Sequence, residues 1–435
     1  MKISVVGLGF VGLSLASVLA SKGFNVIGLD IDVIKCKKIS NGIVPFYEPD
    51  LDQVLKNGLK KNLEINNNFL SIKNSDIIFI TVGTPQKSNG AIELTIIKKA
   101  IASVGKIISK SKKNPIIFIK STVIPGTLEN TLLPILEKES GKESGKEFGL
   151  ISNPEFLQES TAIRDTKFPH VIVLGGTEKK YLKKAKIFFN ILHPNIPIII
   201  TNYQTSEMIK YANNSFLATK ISFINQISSI CQNIPGANVD DIAKAIGLDS
   251  RIGKLFLNAG PGYGGSCLPK DVKAIMNFSL KTGTTPLFLE AVEKINEQQI
   301  VNIMKLIKKN CGNLKGKNIA ILGLAFKPNT DDIRDSISLK IIKILLKKHV
   351  IITVHDPMAI ENVKKIFKNK INYASSITNV LKNSHCGIIM TAWPEYSKIT
   401  NNHIKNMEKR VIIDSRRILK NSKLDCNYQA IGIGS

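Results

Sequence analysis

Three glycines near the N-terminus restrict the possible folds of this chain more than any other feature. Gly7, Gly9 and Gly12 stand at G-x-G-x-x-G spacing in MKISVVGLGFVGLSLASVLAS. The run Ile3 to Val6 reads as a buried strand, Leu13 to Ser21 as the helix that follows, and NVIGLD as a second strand ending in Asp30. An acidic residue about 20 positions past such glycines marks the start of a βαβ unit that binds a dinucleotide. Gly7 permits the tight turn, Gly9 lets a pyrophosphate approach the backbone, and Gly12 lets helix and strand pack closely. The helix N-terminus adds free amides and a partial positive charge. Asp30 can accept from ribose hydroxyls and repels a 2′-phosphate, so NAD is favoured over NADP, a preference that nearby Lys35 tempers. A secretory signal also opens on a lysine and an apolar run, but it has no use for these glycines.

One such unit needs far fewer than the 435 residues present, and roughly 150 residues per domain gives two or three domains. Hydrophobic residues at 43% and charged residues at 22% supply ordinary cores and exclude a disordered or collagen-like chain. The six cysteines (Cys36, Cys231, Cys267, Cys311, Cys386 and Cys426) include no C-x-x-C pair. That excludes a disulfide framework and a structural zinc site, and fits a reducing, cytoplasmic setting. No apolar run reaches the roughly 18 residues of a membrane span. The net charge of +26 suggests nucleic-acid binding, yet the lysines are dispersed through every region and the aromatic fraction is 6%. The expectation is therefore no nucleic acid, no membrane and no metal, with a positive field that recruits polyanionic small molecules.

Further along, DIIFITVGTP and PIIFIKSTVIPGT read as parallel strands ending in loops, where an open α/β sheet places its ligand groups. Thr84 and Thr122 sit just past those ends, with a helix cap or turn as the plain alternative. ESGKESGKEFG reads as a surface loop. From Thr205 to about Ile230 there is no Gly or Pro, and the pattern is helical, with Thr205 or Ser206 able to cap it. Lys210 and Asn214, four apart, share one face of this helix. NAGPGYGGSCLPKD is dense in glycine around one cysteine, which allows close approach of backbone to a ligand or simply a structural turn. A second α/β unit starts near Lys317, but Gly323 with Ala325 and Phe326 does not complete a dinucleotide fingerprint. The fold expected is two Rossmann-type, doubly wound parallel-sheet α/β domains joined by a long central helix.

In order, GLGFVG, VGTP, KSTVIPGT, NPEFLQES, EMIKYANNSF, GPGYGGSCLPKD, GLAFKPNTDDIRDS and DSRR resemble the motifs of the UDP-glucose/GDP-mannose dehydrogenase family, across essentially the whole chain. The resemblance implies a cytoplasmic enzyme, a homodimer or higher homo-oligomer, that oxidises the C6 alcohol of a nucleotide sugar to the carboxylate. With UDP-glucose, two NAD and one water would give UDP-glucuronate and two NADH. It also implies an NAD-binding domain over 1–203, a central helical domain with dimer contact and catalytic cysteine over 204–312, and a nucleotide-sugar domain over 313–435.

Two oxidations on one carbon require the aldehyde to be held between them, and a cysteine does this as a thiohemiacetal and then a thioester. Cys267 matches the family's nucleophile, with Lys210 and Lys270 as the cations that assist it. By the same resemblance Lys210, Asn214 and Asp271 position the sugar, a water and the developing oxyanion, and Glu155 is the base for thioester hydrolysis. Glu159 is the runner-up base, otherwise a substrate contact beside Phe156, Leu157 and Gln158. Thr122 holds water near the reacting carbon. Phe10, Val11, Thr84, Thr122, Lys270 and Arg334 join Gly7, Gly9, Gly12, Asp30 and Lys35 toward NAD. Lys327 and Arg416 match nucleotide-sugar contacts, Arg251 an arginine that reaches the partner subunit's site, and Phe256, Leu257, Asn258, Ala259, Gly260 and Gly264 the substrate loop.

The departures concern the sugar. Gln158 and Ser160 replace the Arg and Gly of NPEFLREG in UDP-glucose enzymes, and ESTAIRDTKFP is closer to the GDP-mannose branch. DSRR and the terminal AIGIG resemble the UDP-glucose branch, despite Ser415 where Gly is usual, and PEFL argues against the UDP-N-acetylhexosamine branch. The order is UDP-glucose, GDP-mannose, then an N-acetylated UDP-sugar. A catalytically inert NAD-sensing protein is the alternative from another class, and it would need a broken set of these residues.

Overall fold

Short runs that are apolar on both faces become strands of parallel sheets covered by helices on either side. The computed structural model describes residues 1–434 and divides into two compact units, Met1–Asn213 and Asn214–Ser435. The first unit holds β1 (Lys2–Val6), β2 (Asn25–Leu29), β3 (Leu63–Asn66), β4 (Ile77–Ile80), β5 (Ile116–Ile119), β6 (Gly149–Ser152), β7 (Ile172–Gly175) and β8 (Ile198–Thr201). They form one sheet in the order β3-β2-β1-β4-β5-β6-β7-β8. β6 and β7 pair antiparallel and every other neighbouring pair is parallel. The first six strands follow the doubly wound order, so the direction of winding reverses between β1 and β4, where such sheets bind ligands at their carboxyl ends. Gly7, Thr84 and Thr122 all follow strands at or beside this reversal. β4 and β5 both read IIFI and are wholly buried. Phe79 and Phe118 stack between them at 4.9 Å, on Phe188 and Phe189 of the helix Lys179–Leu192.

The second unit repeats the order with β9 (Asn318–Leu322), β10 (Ile351–His355), β11 (Asn372–Tyr373), β12 (Cys386–Ile389), β13 (Val411–Asp414) and β14 (Asn427–Ala430), all parallel, as β11-β10-β9-β12-β13-β14. Its glycine turn is built differently. No helix follows Gly323 directly, the next being Ile337–Lys347. Asp356, at the end of β10, is 3% exposed and fills the turn itself. Its carboxylate accepts from the amides of Leu324, Ala325, Met358 and Ala359 and from the Trp393 indole.

Between the two sheets in chain order lies the 29-residue helix Tyr203–Cys231. It starts two residues before Thr205, and the expected cap by Thr205 or Ser206 is not what is found. Asn202, a favoured cap residue, accepts from the Thr205 amide at 2.8 Å instead. No helix among the described residues is long and apolar enough to cross a membrane.

Candidate active site

In the first unit, Gly7 has φ +97°, and a Cβ there would lie 2.9 Å from Val82. A Cβ on Gly12 would meet the Gly7 carbonyl oxygen at 1.8 Å, whereas one on Gly9 would face open space. The helix Phe10–Ser21 opens at Gly9 without a side-chain cap, so the amides of Phe10 and Val11 are left for an anion. These residues fit the pyrophosphate of a dinucleotide. Asp30 accepts from Leu8 N at 2.8 Å and Asp32 N at 3.0 Å, and pairs with Lys35 Nζ at 2.8 Å. Burial pushes its carboxyl upward, but Lys35 and the two amides outweigh burial and hold it below the usual carboxylate range. Lys35 therefore tempers the charge on Asp30 by direct contact. Thr84 and Thr122 come together, the Thr84 hydroxyl donating to the Thr122 carbonyl at 2.8 Å.

The loop after β6 carries NPEFLQES. Glu155 accepts from its own Leu157 amide and pairs with Lys210 Nζ at 3.1 Å, both side chains being under 10% exposed. The Lys210 ammonium also lies 5.5 Å from the centre of the Phe156 ring. Gln158 is exposed, and its amide donates to Asp165 at 3.0 Å. Ser160, at the position where the resemblance expects Gly, has φ +72°, a left-handed conformation that glycine adopts without cost. Glu48, 5% exposed, holds this turn by accepting from Ser160 N at 2.8 Å and Ala162 N at 2.6 Å. Ser160→Gly should therefore raise stability by roughly 0.5–1 kcal/mol, or about 1–3 °C in Tm by calorimetry. A lower Tm would mean that the serine hydroxyl contributes more than its backbone strain costs.

Three buried or partly buried charged residues of this unit were not singled out by motif reading. Glu48 is one. Glu207 is the second, accepting from Gly126 N at 2.6 Å and Leu128 N at 2.9 Å and so tying the KSTVIPGT loop to the long helix. Burial pushes its carboxyl up to about 7 against the pull of those amides. Lys120 is the third. Its Nζ lies 3.0 Å from Asn153 Oδ1 and 3.4 Å from the Asn153 carbonyl, two residues before Glu155.

In the second unit Cys267 is exposed, while the other five cysteines of the chain are buried or partly so. It sits at the N-terminus of the helix Leu268–Lys281, whose partial positive charge favours an anion at that point. Asp271, 1% exposed in the first turn, accepts from Asn214 Nδ2 at 2.6 Å and pairs with Lys270 at 2.5 Å. The glycines before Cys267 approach the protein's own chain: a Cβ on Gly264 would lie 2.5 Å from the Asp335 carbonyl, and one on Gly265 2.7 Å from the Phe326 ring. Lys327 lies over that ring at 5.7 Å. Arg334 is bound to Asp332 and Arg251 to Asp249, both through their guanidinium groups.

Leu257, Asn258, Ala259 and Arg416 line a cavity of about 570 Å³, along with Lys244 and Lys254. Phe256 opens this loop at φ +66°. Arg416 donates to the Met390 carbonyl at 2.8 Å, and burial first, then neighbouring Arg417, lowers its guanidinium to about 10. Arg417, quoted in DSRR but given no role from sequence, reaches back to the Ala259 carbonyl at 2.7 Å and to Asp240 at 2.8 Å, anchoring the loop. A cationic cavity of this size suits a phosphorylated ligand with an aromatic or sugar group.

Family models match all three segments of the chain. They describe the UDP-glucose/GDP-mannose dehydrogenase family's NAD binding domain over residues 1–193, its central domain over 204–298 and its UDP binding domain over 320–421. The UDP-glucose 6-dehydrogenase of Rickettsia felis is 40% identical, over 99% of this chain and 96% of its own length. That of Bacillus subtilis is 39% identical over 99% and 93%. Among solved structures, a UDP-glucose dehydrogenase from the hyperthermophilic archaeon Pyrobaculum islandicum superimposes with a TM-score of 0.92 at 32% identity, covering 99% of this chain and 98% of that one.

Proposed function

Because the chain belongs to the UDP-glucose/GDP-mannose dehydrogenase family, we propose that it oxidises the C6 alcohol of UDP-glucose to the carboxylate, giving UDP-glucuronate. The observation that carries this assignment is Cys267, exposed at the N-terminus of a helix whose first turn holds Lys270 and Asp271, with Asp271 bonded to Asn214. Cys267 adds to the aldehyde carbon, forming a C–S bond and a thiohemiacetal that keeps the carbon in place for the second oxidation, which leaves a thioester. The Gly7–Gly12 turn, the Phe10 and Val11 amides and Asp30 would hold NAD, which when bound would supply the hydride acceptor for each oxidation. Lys210 and Asn214 stabilise negative oxygen on the substrate, and Asp271 takes part in proton transfer. Thr122 holds a water. Glu155 deprotonates the water that attacks the thioester, the C–S bond breaks to release Cys267 as a thiolate, and the acid formed gives its remaining proton to solvent as it leaves as the carboxylate. Lys327, Arg416 and the loop Phe256–Gly260 hold the nucleotide. The proposed division is cofactor over 1–203, nucleophile and dimer contact over 204–312, and nucleotide over 313–435.

Purified chain mixed with NAD and a panel of UDP-glucose, GDP-mannose and N-acetylated UDP-sugars, followed as NADH at 340 nm, tests this directly. Fastest turnover of UDP-glucose is the expected result. Preference for GDP-mannose would assign the branch that ESTAIRDTKFP resembles, and no turnover of any sugar would leave an inert NAD-binding protein. With NADP in place of NAD, kcat/KM should fall about tenfold or more, about 1.4 kcal/mol for the Asp30–ribose bond and repulsion of the 2′-phosphate. Equal values would mean that Lys35 cancels Asp30.

A homodimer is part of the proposal. Phe216, Phe223 and Ile230, seven apart along the long helix, are 64%, 50% and 48% exposed, an apolar stripe that calls for a partner surface. Light scattering should give twice the chain mass, and a monomer at micromolar concentration would overturn this.

A further inference from the structure

The Glu155 carboxylate stands in the field of two lysines, and the proposed chemistry uses only one of them. Lys210 pairs with it directly at 3.1 Å. Lys120 acts on it through its charge alone, from just past the end of β5, where its Nζ is fixed by two contacts to Asn153, the Oδ1 at 3.0 Å and the carbonyl at 3.4 Å. Asn153 is 2% exposed and itself donates to the Val173 carbonyl at 2.8 Å. Lys120 therefore pins the first residue of the loop that bears Glu155, and ties β5, β6 and β7 together at their site ends. The groups that face Lys120 electrostatically are Glu155, Lys210 and His193. Burial first, then Lys210, push the Lys120 ammonium down to about 8 while Glu155 pulls it up, so it remains largely charged at pH 7. Burial first, and then Lys22, push His193 down to about 4, so His193 is neutral there and adds no charge.

A lysine engaged by negative oxygen on the substrate is no longer available to a carboxylate beside it. We infer that Lys120 is a positioning residue for the hydrolytic half of the reaction: it fixes the Glu155 loop through Asn153 and supplies the carboxylate with a second cation, keeping it in its basic form while Lys210 serves the substrate. This rests on the proposed role of Glu155.

The test is the rate of thioester hydrolysis on the full-length enzyme, from rapid quench and intact-protein mass, between about pH 5 and about pH 8. An opposite charge near a carboxylate favours its ionised form, and losing that charge raises its titration. Lys120→Met should therefore move the acid limb of the hydrolysis profile up by about one pH unit and slow hydrolysis about tenfold on that limb. The NADH burst should stay, and KM for sugar and NAD should change little. Lys120→Arg, which keeps a permanent charge, should restore the wild-type limb. Should Lys120→Met not fold, Lys120→Gln removes the charge while keeping a donor for Asn153, and should show the same shift.

A profile unchanged by loss of the charge overturns the inference, as does an arginine variant that behaves like the neutral ones. Those results leave Glu155 standing as the base. A Glu155→Gln enzyme that hydrolyses its thioester normally removes the base itself, and Lys120's role with it.

Discussion

Cys267→Ser should stop steady NADH production from UDP-glucose. A serine hydroxyl is scarcely ionised at neutral pH, whereas a cysteine is a few per cent thiolate and intrinsically more nucleophilic. Any ester that does form on serine is a poorer acyl donor to water than a thioester, so turnover would fail at its last step as well. In covalent enzymes, loss of the nucleophile costs up to about 10⁶ in rate. Cys267 is exposed, so the variant should keep its fold, and an unchanged melting curve is the control. Undiminished NADH production in folded Cys267→Ser would sink the covalent mechanism.

Glu155→Gln separates oxidation from hydrolysis. Hydrolysis follows both oxidations, so the variant should release a burst approaching two NADH per active site and then stall as a thioester on Cys267. Intact-protein mass spectrometry should show the added sugar nucleotide, and hydroxylamine should release it. Losing a general base costs on the order of 10²–10⁴ in rate, enough for the stalled species to accumulate. The substitution also breaks the pair with Lys210, and loss of one partner of a buried pair costs on the order of 3–5 kcal/mol. A Tm measurement must accompany the burst, and Glu155→Asp, which keeps the charge, is the control if Gln unfolds the loop. Absence of a burst in folded protein would move Glu155's role to oxidation. Normal turnover in Glu155→Gln together with a stall in Glu159→Gln would transfer the role to Glu159.

Periodicity and spacing made the sheets legible. IIFI at β4 and at β5, and Val411, Ile412 and Ile413 of β13, are apolar on both faces, which only a covered parallel sheet accommodates. Gly12 was legible for a related reason, since a Cβ there would meet the Gly7 carbonyl oxygen inside the same βαβ unit, whereas Gly7 is confined by the distant Val82 and was legible from its spacing alone. What escaped was long-range. Glu48 meets Ser160 across 112 residues, and Lys120 meets Asn153 across 33, with no periodic signal to announce either contact. Lys120 even stood inside the motif KSTVIPGT, but nothing in the sequence tells which lysine among so many ends a strand facing inward. The helix cap slipped from Thr205 to Asn202 because Thr, Ser and Asn are all competent caps, and tertiary packing chose among them.

The two sheets share one strand order, and yet they are not equivalent receptors. In the second, the Asp356 carboxylate already takes up the amides of Leu324 and Ala325, and no helix begins at Gly323 to receive a pyrophosphate. The Ala325 amide is thus engaged internally, and the helix N-terminus that would receive a second pyrophosphate is missing. The binding stoichiometry follows: calorimetric titration should saturate at one NAD per chain, and in the proposed reaction the two cofactors used per product would have to occupy the same seat in turn.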